Sequence, residues 1–274
     1  MDGLAQSELA LSSGKKINKP SDDPAGTAKV SALSTAISKL GQYSKNMDDV
    51  SSKMKLADSV LISAHNLLQK ASEVATQEAT GTVTADSRAA AAKEVDTMFQ
   101  QLVQIGNTSV GGKYIFAGYK NSTPPFDQSG NYVSDSNVIQ SEIGAGNFTQ
   151  SNIPGDSIFS AAGGVDIFGA LKNLSTALAA NDTAGIGSAM DQINAAYSQL
   201  EASQAQVGSV ENLVSDSQSR LQDDETNMKG LLSNNEDVDI VQAIGKFQMQ
   251  SAALTAARQA ASKLFDNSLL DYIK

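Results

Sequence analysis

The 274-residue sequence carries a formal net charge of −10, a single histidine, no cysteine and no tryptophan. The acidic balance argues against a nucleic-acid partner, because phosphate binding needs a basic face. The lack of cysteine excludes disulfides and thiolate metal sites, and no run of about 18 apolar residues is present that could insert into a membrane.

Aromatics make up 5% of the chain, a composition that suits thin helical bundles closed with Leu, Ile, Met and Ala. In residues 2–12, Leu4, Ala5, Glu8, Leu9 and Leu11 already follow helical spacing. The N-terminus shows no charged segment followed by an apolar one, so no Sec-type signal is read there. Ser12-Ser13-Gly14 ends this helix, with the glycine as its left-handed cap. Lys15, Lys16 and Lys19 form the one basic cluster and read as a solvated loop. Asp23 and Pro24 then make a good N-cap and first helical position.

From Thr27 to Ala79 apolar or small residues recur at alternating three- and four-residue steps, among them Leu33, Ile37, Leu40, Met47, Met54, Leu61 and Leu68. Two consecutive threes at Leu40, Tyr43 and Met47 read as a stammer. The stripe is narrow, and a helix of this length would extend roughly 80 Å, so the spacing predicts a seam for one or two partner helices. Thr80-Gly81-Thr82 breaks it. Thr84 caps a further helix to about Asn107, with Ala92, Val95, Phe99, Leu102 and Ile105 inward, as an antiparallel hairpin partner.

The character changes at Gly111. Strand candidates are Lys113 to Tyr119, Tyr132-Val133, Val138 to Ile143 and Asn147 to Ile153, among glycines and three of the five prolines. Helical period resumes at Ile167. It breaks at Asn181-Asp182 and runs again from Thr183 to about Leu232 through Val207, Val214 and Leu221. An acidic turn, Ser233 to Asp239, leads to a last helix bearing Ile244, Phe247, Leu254, Leu264, Leu269 and Leu270. The expected fold is mainly α with a β-rich insert: an elongated antiparallel helical-bundle rod with a small β domain at its distal tip. Residues 1–110 and 181–274 supply the helical parts, and residues 111–180 the insert with a short helix.

No catalytic, cofactor-binding or metal-ligating residue stands out. His65 flanks the seam without a second ligand or a base. Adjacent acids such as Asp22-Asp23, Asp48-Asp49 and Asp223-Asp224 diverge by about 100° on a helix and read as caps and solvated faces. Gly111-Gly112-Lys113 lacks the flanking residues of a phosphate loop.

The stretch Ser13-Gly14-Lys15-Lys16-Ile17-Asn18-Lys19-Pro20-Ser21-Asp22-Asp23-Pro24-Ala25-Gly26 resembles the segment between the first two helices of the flagellin family of bacterial flagellar axial proteins. Ala71 to Thr82 resembles the end of that family's long helix. Gly112 to Tyr119, continuing to Pro124-Pro125-Phe126, is similar to the hook–filament junction branch more than to the filament subunit. Asp237-Val238-Asp239, Gln250 and Ser268 to Tyr272 fit the same branch. Gln204 and Leu213 depart from arginines frequent in the family at those positions.

The resemblance implies a structural, non-enzymatic adaptor joining the hook to the flagellin filament, exported to the flagellum without a Sec signal. Its implied partners are the preceding hook-associated protein, flagellin, further copies in a ring, and a cytosolic export chaperone on the C-terminal helix. Leu33 to Leu68 with Val207, Val214 and Leu221 would then be the assembly seam, and Ile244 to Leu270 the assembly or chaperone helix. Family members carry a further helical segment before the position of Met1, so the resemblance implies a chain trimmed there. The competing expectations are flagellin itself and a secreted helical-hairpin adhesin or effector.

Overall fold

Asp23 and Pro24 open the longest helix in the way their chemistry dictates. The Asp23 carboxylate accepts the Gly26 N–H at 2.9 Å, its carbonyl accepts from Thr27 at 2.8 Å, and proline at the first helical position forfeits no hydrogen bond. The computed structural model describes residues 2–266. Its elements are α1 (Asp2–Ser13), α2 (Pro24–Glu78), α3 (Ala85–Gly106), β1 (Ser109–Val110), β2 (Lys113–Tyr114), β3 (Gln140–Gly144), β4 (Asn147–Gln150), α4 (Gly155–Phe159), α5 (Ile167–Ala179), α6 (Thr183–Glu236) and α7 (Ile240–Asp266). The chain divides into two compact units, one built from residues before Gln42 and after Arg220, the other from Gln42–Arg220.

In the Gln42–Arg220 unit, side-chain pairings fix four helix directions. Lys70 on α2 reaches Glu94 on α3 at 3.4 Å, and Arg88 on α3 donates to the Glu78 carbonyl at 2.9 Å, so this pair is antiparallel. On α5 and α6, Asn173 donates to Gln192 at 2.9 Å while Ala177 lies against Gly185. Ser175 of α5 donates to the Asp96 carboxylate of α3 at 2.5 Å, and Phe168 meets Phe99 edge-on. Gln218 of α6 donates to Asp48 of α2 at 2.8 Å, and His65 packs on Tyr197 with ring centres 4.9 Å apart. Each pairing descends in one helix as it rises in the other, so α2, α3, α5 and α6 close an antiparallel bundle. Leu61, Leu68, Val95, Leu102, Leu171 and Leu200 are fully buried in it. On α3, Met98 and Val103 are buried, whereas Phe99 and Ile105, expected inward, are half-buried.

The expected strand over residues 113–119 is cut to two residues. Gly118 turns with φ 61°, and a Cβ there would lie 2.2 Å from the Asp135 carbonyl oxygen, so the chain leaves extended geometry. Phe116 dives inward instead. Phe116, Phe126, Phe159 and Phe168 form a chain of ring contacts with centres 4.9 to 5.7 Å apart, and Gly106 leaves room for Phe126, which an added Cβ would meet at 2.8 Å. The better-formed strands are β3 and β4, antiparallel with Gln140 opposite Gln150 and Glu142 opposite Phe148.

The β segment leaves α3 and returns to α5 at the bundle end opposite the α2–α3 and α5–α6 reversals. Its hairpin lies beside the bundle: Asn46 of α2 donates to the Glu142 carbonyl at 2.7 Å, and Gln206 of α6 meets Gln150 at 3.5 Å. The helix reversals close the other end of this unit, where α3 and α5 fold back alongside α2 and α6; a mainly helical framework with a small β-rich insert is the fold expected.

Arg88, buried to 4% exposure, holds those reversals together. It donates to the carbonyls of Glu78 at 2.9 Å and Thr80 at 2.8 Å, and to the Asn181 side chain.

In the other unit α1 packs on α7, with the Ser7 hydroxyl donating to Gln250 at 2.6 Å. The Lys16 N–H donates to the Glu236 carbonyl at 2.7 Å and the Val238 N–H to the Gly14 carbonyl at 2.9 Å. Helical bonding continues to the Asp237 N–H, which donates to Ser233 at 2.8 Å, so α6 outlasts the turn expected from Ser233. Asp239 then caps α7, accepting from the Gln242 N–H at 3.1 Å.

Leu68→Ala should lower stability by about 3–5 kcal/mol through the cavity it leaves. Arg88→Ala should cost about 2–3 kcal/mol by stranding two carbonyls. Urea unfolding followed by circular dichroism measures both, and an unchanged midpoint for Arg88→Ala would show that the bundle end opens without penalty.

Candidate assembly surfaces

Burial separates the residues that the sequence marks for helix contact. Met47, Met54, Leu61, Leu68, Val207, Val214 and Leu221 are buried within the chain itself. Leu33, Ile37 and Leu40, on the first part of α2, are half-buried. The structure thus brings most of the stripe together intramolecularly, and leaves its N-terminal part incompletely covered.

Helix α7 is the opposite case. Ala243 is buried and Phe247, Gln250 and Leu254 are half-buried; their spacing marks one face, and Gln250 on it meets α1. Ile240, Val241 and Ile244 form an adjoining strip that is exposed, Val241 to 81%. A helix with apolar residues beyond its packed face presents surface that another element can cover. Val241 and Met249 lie off the Ile240, Ile244, Phe247, Leu254 series, which is why the period did not mark them. Leu264 falls in the last turns of α7 with its side chain outside the described residues, and Leu269 and Leu270 lie outside them altogether.

Among the described residues no cluster of three or more His, Cys, Asp or Glu side chains could hold a metal ion. His65 packs at a tilt against Tyr197, whose phenol is pushed up to about 12 by burial and then by the Glu73 charge. The imidazole therefore faces a neutral phenol that does not ionise near neutrality. No described helix is long and apolar enough to cross a membrane.

The loop after β2 is organised by Asp135. Its carboxylate accepts the N–H groups of Tyr119 at 2.9 Å, Lys120 at 2.8 Å and Asn137 at 3.1 Å. These bonds, the Tyr119 one foremost, hold its pKa down at about 2. Sequence reading missed this residue because two of its partners, Tyr119 and Lys120, lie 16 and 15 positions upstream and only Asn137 is local.

Residues 2–121 match the model of the bacterial flagellin N-terminal helical region. The flagellar hook-associated protein 3 of Escherichia coli (strain K12) is 34% identical over 151 residues, covering 54% of this chain and 48% of that one. Its namesake in Salmonella typhimurium is 29% identical over 271 residues, covering 90% of this chain and 86% of that one. The matched stretch thus spans about half of the first relative and most of the second. A solved structure from Vibrio parahaemolyticus, described as that of a flagellar hook-associated protein, agrees with a TM-score of 0.73 at 19% identity, over 79% of this chain and 100% of that one; that likeness concerns the fold. The N-terminal part of the chain is thus similar to the flagellin family, and the similarity that runs along most of the sequence is to a flagellar hook-associated protein 3.

Asp135 gives a pH signature. Its folded pKa is depressed, so its contribution to stability is complete above the ordinary carboxylate value and is lost as pH falls from about 4 toward about 2. Asp135→Asn should be less stable than the parent at pH 6 and should converge with it near pH 2, as read from urea midpoints at each pH. Parallel curves across that window would remove Asp135 as the source.

Proposed function

We propose that this chain is a structural component of the bacterial flagellum that joins the hook to the flagellin filament. The observation that carries the reading is the similarity along 90% of the chain to a flagellar hook-associated protein 3. The described residues add support: a long helical framework and exposed apolar residues on α7.

In this reading the work is mechanical. The α2–α6 seam makes a stiff body whose lateral faces meet further copies in a ring. The outer strip of α7 is covered by the preceding hook-associated protein or by flagellin on assembly, and by an export chaperone beforehand. Each large apolar side chain moved out of water there contributes about 1.5–3 kcal/mol, set against the entropy of ordering the contact. The chain leaves the cell without a Sec signal and acts outside it, with residues 1–110 and 181–274 as helical framework and 111–180 as an outward-facing insert.

Immunogold electron microscopy of intact flagella, with antibody against residues 111–164, tests this. A single labelled band between hook and filament is expected. Label along the whole filament would make the chain a filament subunit, and flagella without label would favour a secreted helical-hairpin protein. Val241→Asp should leave the unfolding free energy of the isolated chain, read from urea titration, within about 0.5 kcal/mol of the parent, as surface changes do, while reducing its incorporation into that band.

A further inference from the structure

The β3–β4 hairpin has two outer edges, and the chain engages only one of them. Ser151 donates its N–H to the Ile139 carbonyl at 2.8 Å, which makes Ile139 and Ser151 a hydrogen-bonded pair. Bonded and non-bonded pairs alternate along an antiparallel ladder. The pairs Gln140–Gln150 and Glu142–Phe148 therefore turn their N–H and C=O groups outward. On the β3 side Asn46 takes the Glu142 carbonyl at 2.7 Å. On the β4 side the outward groups of Phe148 and Gln150 meet no partner among the described residues.

This open edge has none of the usual protection. Charged side chains and proline keep a bare edge from pairing, yet residues 145–153 contain neither, and Phe148 is 59% exposed. Beside the edge stands α6. Its Gln206 reaches Gln150 at 3.5 Å, and Leu213, seven residues on and so on the same helix face, is 45% exposed. Gln204 and Gln218 of α6 face Asp58 and Asp48 of α2, and Asn46 meets Glu142. The step from Gln150 to Phe148 thus runs the same way as the step from Gln206 to Leu213. Phe148 and Leu213 lie on the same side of the Gln150–Gln206 contact, an apolar pair flanking unpaired backbone.

We infer, on the reading of the chain as a flagellar junction part, that the outer edge of β4 receives an extended strand of a different flagellar protein, with an apolar side chain set against Phe148 and Leu213. The backbone selects the form of the occupant. Outward N–H and C=O groups recur at every second residue, a spacing that an extended strand matches and a helix does not. The apolar pair selects its side chains, because a charged residue there would lose water without gaining a counter-charge. Pairing of β4 with the β4 of a second copy needs a two-fold axis between the copies. In a cyclic ring all copies point the same way, so that isologous contact has no place in it.

The Gln150 N–H points away from β3, so Gln150→Pro removes one edge donor and leaves the β3–β4 ladder intact. Gln140→Pro does the same on the opposite edge and serves as the control. Phe148→p-benzoylphenylalanine would be introduced in the parent and in each variant. Isolated flagella would then be irradiated and the joined residues identified by mass spectrometry. The expected product links position 148 to an uncharged, strand-forming segment of one other flagellar protein. Gln150→Pro should reduce it about tenfold through the lost hydrogen bond, and Leu213→Lys, at an exposed position, should reduce it through the apolar wall. Gln140→Pro should leave it unchanged. A product joining two copies of the chain, a product that survives both Gln150→Pro and Leu213→Lys, or a labelled junction band without any product overturns the edge assignment and leaves the functional reading standing. Flagella with no labelled band overturn both.

Discussion

Helices with a narrow apolar stripe must be covered along their length, and that requirement governs the Gln42–Arg220 unit. The covering partner for α2 is α6, running the other way, with Met47, Met54, Leu61 and Leu68 on one side and Leu200, Val207 and Val214 on the other. A stripe this narrow cannot build a wide core. The unit thickens only where α3 and α5 join, and the four phenylalanines gather where those helices end. The β hairpin needs no large core of its own because it leans on helices already fixed against each other, through Asn46 and Gln206.

Much of this was legible from local chemistry. Asp23, Thr84 and Asp239 cap helices with the side-chain bonds their types predict, to Gly26, Ser87 and Gln242. The three-four spacing placed Leu61 and Leu68 inside because a helical period is a short-range property. What escaped was set at long range. Arg88 was not singled out, because Asn181, 93 positions away, comes beside it only in the folded chain. Residues 113–119 carry strand formers, yet Gly118 and the pull of Phe116 toward Phe159 override that preference. The end of α6 depended on a loop more than 200 positions away, through Lys16 and Glu236.

The candidate surfaces show the same division. Period marked one apolar series on α7, through Ile244, Phe247 and Leu254, but not which part of it α1 would cover. Burial decides it: Ala243 and Phe247 turn inward, and Ile240, Val241 and Ile244 stay in water. For a protein whose proposed work is contact rather than reaction, the surface left uncovered is the informative part.

The Arg88 clasp has a consequence for the order in which the molecule is made. The carbonyls it holds belong to the first helix reversal and Asn181 to the second, 93 residues further along. As synthesis proceeds from the N-terminus, the α2–α3 hairpin emerges with its arginine only partly satisfied and one side of its apolar face open. It must wait for the whole β segment and α5 before the bundle can close. Closing so long a loop is entropically costly and slows folding relative to a bundle of local contacts. The arginine thus makes the early half of the unit a provisional structure, completed only when its sequence-distant partner arrives.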